Sequence, residues 1–178
     1  MKFVAALSAA LAAALATAAS AAPGPLHFAN ADDAKLVKEG QSVYIPVCSS
    51  CHGKHLEGQA LWQVNDQFAG RRAPAHDATG HTWQHPDDDL FFMTKFGHFP
   101  YAPPHAVSYM PAFASHLTDH EIVAVIAFIK ADWPIGIRAS QAMLNPGQAG
   151  MPKGADKGSW TLPPNCTGIL GYWSQVSK

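Results

Sequence analysis

The first regular pattern along the chain is helical and lies between Asn30 and Tyr44. Apolar and small residues recur there at intervals of three and four positions, which is the spacing of one face of an α-helix. We expect this helix to end near Pro46, because proline lacks the N–H group that an inner helical position needs. The positions that carry the pattern are Leu36, Val37, Gly40, Val43 and Tyr44.

A second, shorter helix is predicted between Pro86 and Gly97. Three aspartates follow the proline, and Lys95 stands two positions before the glycine. Acidic residues in the first turn and a basic residue in the last favour a helix through its dipole, and glycine is a common stop signal. Residues 58–85 have no sustained period and are interrupted by glycine and proline, which is typical of a loop.

The clearest helical pattern begins at Thr118. Thr118 and Glu121 match a capping box, and apolar residues continue along one face as far as Ile129. The Trp-Pro pair at 133–134 should end this helix, and a turn or two is expected at residues 140–144. The remaining tail is rich in proline and glycine. Since strand-like alternation is scarce, we predict a small all-α fold with an irregular C-terminal extension.

The first 21 residues have the composition of an export signal. One lysine precedes an alanine-rich apolar run, and Ala19, Ser20 and Ala21 fit the small-x-small pattern of a cleavage site. The alternative is an uncleaved membrane anchor, although alanine is only weakly apolar. We expect a signal peptide over 1–21, export to the periplasm, and a mature chain without a transmembrane span.

Composition narrows the class of protein further. The chain has 178 residues, with 12 lysines and arginines against 13 aspartates and glutamates. This balance gives no support for nucleic-acid binding. The roughly 157 residues that follow the predicted signal peptide suit a single domain.

The cysteines supply the main candidate chemistry. The chain has three of them, and two stand three positions apart in the motif Cys48-Ser49-Ser50-Cys51-His52. Such a C-x-x-C-H motif is typical of haem c attachment, in which two thiols form thioethers with one haem and the histidine ligates its iron. A disulfide or half of a zinc site are the alternatives, but no second cysteine pair completes a zinc site.

A second axial ligand is expected from a methionine. Met110 lies in an irregular, proline-bracketed stretch just before the third helix, where its side chain can approach the iron without breaking a helix. Met93 falls inside the short helix and fits a core position. A merely packed Met110 and competing ligation by His98 or His105 stay open, and the predicted iron ligands are His52 and Met110.

The segments CSSCHG, MPAF and LTDHEIVAVIAFIKADWP resemble, in order and spacing, the class I c-type cytochromes. The resemblance covers residues 32–134, approximately, and suggests a cytochrome c domain over 22–134 followed by an extension over 135–178. It implies helices wrapped around one covalently bound haem, with the first and last helices crossing at a glycine and aromatic residues. Gly40, Tyr44 and Phe128 match those positions.

Two filled axial positions would leave the iron no open site for a substrate. This favours electron transfer and an absence of catalytic residues. We therefore expect a carrier that meets redox partner proteins briefly, near residues 51–55, either as a shuttle or as the haem subunit of a respiratory or dehydrogenase chain. The alternatives are a haem enzyme or gas sensor with an open or labile sixth site, and a metal-handling protein.

The histidine-rich region 76–105 and the tail are not general features of this family. His76, His81 and His85 could bind a second metal, and Cys166 is a lone thiol of open role. Some side chains of this region could donate hydrogen bonds to the haem propionates. These candidate donors are Trp83, Arg71 and Arg72.

Overall fold

The structure is a computed structural model that describes residues 26–64, 72–97 and 108–155. Within these ranges the regular structure is helical and no strand is present, which confirms the predicted all-α class. The helices are α1 (Ala34–Val47), α2 (Ser49–His52), α3 (Asp87–Phe96), α4 (Asp119–Ala131) and α5 (Ile135–Ala142), with single 3-10 turns at Thr82–Gln84 and Pro146–Gln148. The predicted signal peptide and four candidate residues lie outside the described ranges: Arg71, His98, His105 and Cys166.

Helix α1 begins at a side-chain cap. The carboxylate of Asp33 accepts the N–H groups of Lys35 and Leu36 at 3.0 and 3.1 Å, which satisfies two donors that the first turn would leave unpaired. The helix ends at Val47, one residue after Pro46, close to its predicted end. Only Cys48 separates the end of α1 from the start of α2.

Helix α4 has the predicted capping box. The N–H of Glu121 donates to Thr118 Oγ1 at 3.2 Å, and the Glu121 carboxylate accepts the Thr118 N–H at 2.8 Å. The helix stops at Ala131, ahead of Pro134, because proline has no N–H group and disfavours a helical residue before it. Most of its side chains are buried, so α4 is the central helix of the core.

The crossing of α1 and α4 is as close as the resemblance implies. A Cβ atom at Gly40 would collide with the carbonyl oxygen of Ala124, so the contact requires glycine. One turn further along, the rings of Tyr44 and Phe128 lie 5.2 Å apart. The Tyr44 hydroxyl donates to Gly53 O at 2.9 Å, which ties this crossing to the cysteine motif.

A buried ion pair joins α3 to α4. Lys130 Nζ lies 2.6 and 2.8 Å from the two carboxylate oxygens of Asp87. The same carboxylate accepts the Ala29 N–H at 2.9 Å and Gln141 Nε2 at 2.7 Å, while the Asp87 N–H donates to Asn145 Oδ1 at 2.8 Å. One aspartate therefore holds the chain before α1, the end of α4, and the segment from α5 onward.

Helix α5 begins directly after Pro134 and is longer than the turn or two expected at residues 140–144. It buries Ile137 in the main core, with Ala139 and Ala142 also buried. No side chain caps its first turn, and Pro134 occupies its N-cap position. Of the helices in the described part of the chain, none is long and apolar enough to span a bilayer.

Candidate functional site

The C-x-x-C-H motif forms one tight turn at the end of α1. The N–H groups of Cys51 and His52 both donate to Cys48 O, at 3.2 and 3.0 Å. The two thiols are free rather than joined in a disulfide, with Cys48 half-buried and Cys51 exposed. Burial raises the pKa of Cys48 to about 11, and Cys51 adds to the rise. The turn thus presents two free thiols and one imidazole together.

The His52 ring is held in the form that a metal ligand needs. It is 7% exposed, and its Nδ1 lies 3.0 Å from Pro74 O. Because a carbonyl oxygen only accepts, Nδ1 carries the proton and Nε2 keeps its lone pair. Burial lowers the pKa of His52, against an opposing effect of the Pro74 hydrogen bond. A neutral histidine oriented through its second nitrogen is the usual arrangement at metal sites.

Pro74 reaches His52 because two loop segments run side by side. The N–H of Gly58 donates to His52 O at 2.8 Å, and Gln59 N–H donates to Ala73 O at 3.0 Å. Gly58 has a φ of 73°, and a Cβ there would collide with the Ala75 backbone, so glycine is required at this approach. Pro74 lies 22 positions from His52 along the chain, and no local motif links the two residues.

His76, a candidate ligand for a second metal, packs against His52. Its ring stacks on His52, with centroids 4.1 Å apart and planes 20° from parallel. Burial lowers the pKa of His76 well below its ordinary value, and His52 and His81 lower it further. In the ranges that the structure covers, no three histidine, cysteine, aspartate or glutamate side chains are grouped to hold a metal ion. The second-metal alternative therefore gains no support.

Two of the suggested propionate donors, Trp83 and Arg72, make other contacts. The Trp83 indole N–H donates to Gly80 O at 3.0 Å and is buried. Arg72 Nη1 donates to Ala60 O at 2.7 Å. Since an indole has a single N–H, Trp83 has no further donor to offer a carboxylate.

Met110 lies on a segment anchored to the C-terminal end of α3. Ser108 Oγ donates to Gly97 O at 2.7 Å, and the Met110 N–H donates to Ser108 Oγ at 3.3 Å. A Cβ at Gly97 would lie 2.6 Å from Met110 O, so a larger residue would displace this segment. The Met110 side chain is half-buried, and its role as an iron ligand stays a prediction.

This donor set fits a haem c. Two free thiols on one turn can form the thioethers, and His52 offers a neutral Nε2. Met110 is an available thioether on a separate segment, in a loop rather than in a helix. Cys48, Cys51 and His52 are thus brought together by the local turn, whereas Met110 lies on a separate segment beside the end of α3.

His85 should make the protein less stable in acid. Burial lowers the pKa of His85 to about 4, with His81 adding to the effect. Between pH 6.5 and 4 the unfolded chain binds a proton at this residue and the folded chain does not, so the free energy of unfolding falls as the pH falls. We expect His85→Gln to reduce that fall by up to about 3 kcal/mol, measured by urea unfolding at several pH values. The matched control is His116→Gln at an exposed histidine; equal pH dependence in both variants would contradict this expectation.

Comparison with known proteins identifies the family. A family model described as cytochrome c oxidase, cbb3-type, subunit III matches residues 35–129, which is more than half of the 178 residues. The matched range begins in α1, contains the C-x-x-C-H motif and α3, and ends in α4. No curated protein and no solved structure matches the chain. The family match, the helical fold and the thiol-imidazole turn agree, and the chain belongs to this family of class I c-type cytochrome domains, which serve haem-based electron transfer.

Proposed function

We propose that the chain is an electron carrier rather than an enzyme, with one haem c attached covalently through Cys48 and Cys51 and ligated by His52 and Met110. The observation that carries the proposal is the buried His52 ring, which belongs to the same turn as the thiols and whose Nδ1 is held by Pro74 O. Membership of a cytochrome family supports haem-based electron transfer.

The protein's own residues would keep this centre rigid and closed. When bound, the haem supplies a one-electron couple between ferric and ferrous iron. The Pro74 hydrogen bond holds the His52 ring in one tautomer, and burial excludes water from that ring. The Tyr44 hydroxyl fixes Gly53, directly after the ligand. A ligand held in one position needs little rearrangement when the charge on the iron changes.

The proposed setting is the periplasm, after cleavage of residues 1–21. The mature chain would then consist of a cytochrome c domain over 22–134 and an extension over 135–178. Its partners would be redox proteins that dock briefly near residues 51–55, where Cys51 and the two residues after Gly53 are exposed. The family description names an oxidase subunit, which supports a respiratory chain as the setting, for either a shuttle or a haem subunit.

Loss of the Met110 thioether should open the proposed site. The ferric parent protein is expected to show the weak long-wavelength absorption band that reports methionine sulfur on haem iron. Met110→Ala should lose this band, and its reduced form should bind carbon monoxide where the parent does not, because the sixth position is no longer filled.

The matched control is Met143→Ala, which removes an exposed methionine and should leave both the band and carbon monoxide binding unchanged. A parent protein that lacks the band and binds carbon monoxide would contradict His/Met ligation. A haem enzyme or gas sensor with an open or labile sixth site would then be the better assignment.

A further inference from the structure

The contact between His76 and His52 is closer than ordinary packing of two rings. Aromatic pairs in proteins usually have centroids about 4.5–7 Å apart, whereas these two lie 4.1 Å apart with planes 20° from parallel. A flat neighbour at this distance blocks rotation of the His52 ring out of its plane. The Pro74 hydrogen bond fixes the direction of Nδ1, so the two contacts restrain different motions of one ring.

His76 can act as a restraint because it is itself held at three points. Its N–H donates to Leu56 O at 2.7 Å, and its carbonyl oxygen accepts the Trp133 indole N–H at 2.7 Å. Its Nδ1 lies 2.7 Å from Thr82 Oγ1. The Thr82 oxygen also lies 3.4 Å from Ala75 O. Backbone and ring are therefore both anchored.

A histidine at position 76 has a different effect on His52 than an aliphatic residue would have. A leucine would fill a similar space at this half-buried position without desolvating polar ring atoms, whereas an imidazole there needs hydrogen-bond partners. The fold provides one through Thr82. Unlike leucine, histidine has a flat ring, and the hydrogen bond to Thr82 fixes the orientation of that ring. His76 can therefore orient the ring that stacks on it.

We propose that His76 is a positioning residue for the axial ligand: through its stacked and anchored ring it sets the plane of the His52 imidazole. The inference rests on the proposed ligation of iron by His52. Residues behind a ligand orient it and tune the metal that it binds. In a low-spin ferric haem the plane of the axial imidazole determines how unpaired spin is spread over the ring, and therefore the order and spread of the four haem methyl proton shifts.

The test is proton NMR of the intact ferric protein carrying its haem. His76→Leu removes the flat ring and is expected to change the order or spread of the methyl shifts. His76→Phe restores a flat ring and should return the spread toward that of the parent. Thr82→Val keeps the imidazole but removes its anchor, and should produce a smaller change in the same direction.

The matched control is His85→Leu, since the His85 ring contacts His81, with centroids 5.8 Å apart, and lies on the same loop region. It should keep the parent pattern of methyl shifts. A parent pattern in His76→Leu would overturn the proposal. If His76→Leu fails to take up haem, a parent pattern in Thr82→Val overturns it instead.

The parent spectrum separates this inference from the function on which it rests. A ferric parent without the shifted methyl resonances of a low-spin, histidine-ligated haem would overturn the proposed ligation and the role of His76 together. A parent with those resonances, beside a His76→Leu variant with the same pattern, overturns the role of His76 alone.

Discussion

Replacement of both motif cysteines, as Cys48→Ala with Cys51→Ala, is expected to leave a polypeptide that no longer keeps haem after denaturation and no longer melts cooperatively at the parent temperature. The thioethers make haem binding intramolecular, so the contacts between haem and folded chain form at a high effective concentration. Because the usual net stability of a domain is only about 5–15 kcal/mol, loss of those contacts should be a large change. Haem staining of a denaturing gel and a thermal melt followed by circular dichroism measure the two effects.

The same turn offers a matched control. Ser49→Ala with Ser50→Ala alters the two residues between the cysteines, whose hydroxyls contact Ile45 O and Cys51 Sγ at the exposed surface. This variant should keep covalent haem and should melt close to the parent temperature. A cysteine-free protein that melted like the parent would show that the thioethers do not stabilise the fold.

Asp87→Ala is expected to lower the free energy of unfolding by about 3–5 kcal/mol, because it leaves a buried ammonium group without its counter-charge. The side chains of Lys130 and Asp87 are 3% and 0% exposed. The substitution also removes the acceptor for the Ala29 N–H and for Gln141 Nε2. Burial already lowers the pKa of Lys130, against the opposing effect of Asp87. Chemical denaturation of the haem-loaded protein at neutral pH measures the loss.

A second lysine-aspartate pair provides the control for burial. Lys95 Nζ lies 2.7 Å from Asp119 Oδ1, but these side chains are 25% and 58% exposed. Asp119→Ala should therefore lower the free energy of unfolding by only about 1 kcal/mol or less. Asp87→Leu with Lys130→Met replaces both buried charges by apolar groups and should recover much of the loss. Equal losses for the two aspartate-to-alanine variants would contradict this explanation.

Features that arise from nearby residues were predictable from the amino-acid sequence alone. The capping box of α4 involves Thr118 and Glu121, three positions apart, and the short helix α3 ends at Gly97 as its stop signal predicts. The C-x-x-C-H motif lies within one turn and carries the same candidate chemistry in any fold. These features are readable because their hydrogen bonds close over one helical turn.

Contacts between residues that are distant in the sequence depend on the tertiary fold. Asp87 has the sequence context of a first-turn acidic residue, which favours a helix through its dipole, yet in the fold it forms a buried pair with Lys130, 43 positions away. Helix α5 likewise has no side-chain cap at its first turn. Its contact with the rest of the protein comes from Ile137, which is buried in the core. Packing selected these arrangements over the local alternatives.

The candidate site also combines residues placed by a local motif with residues placed by the tertiary fold. Cys48, Cys51 and His52 follow from the local motif, whereas Pro74 and His76 contact His52 only because the loop after His52 returns to it. His76, His81 and His85 are residues of a type that binds metals, but their spacing in the sequence does not determine the orientation of their rings. In the described part of the chain they do not form a group of three ligands. Loop closure and core packing set those directions, and they depend on residues throughout the chain rather than on spacing within one segment.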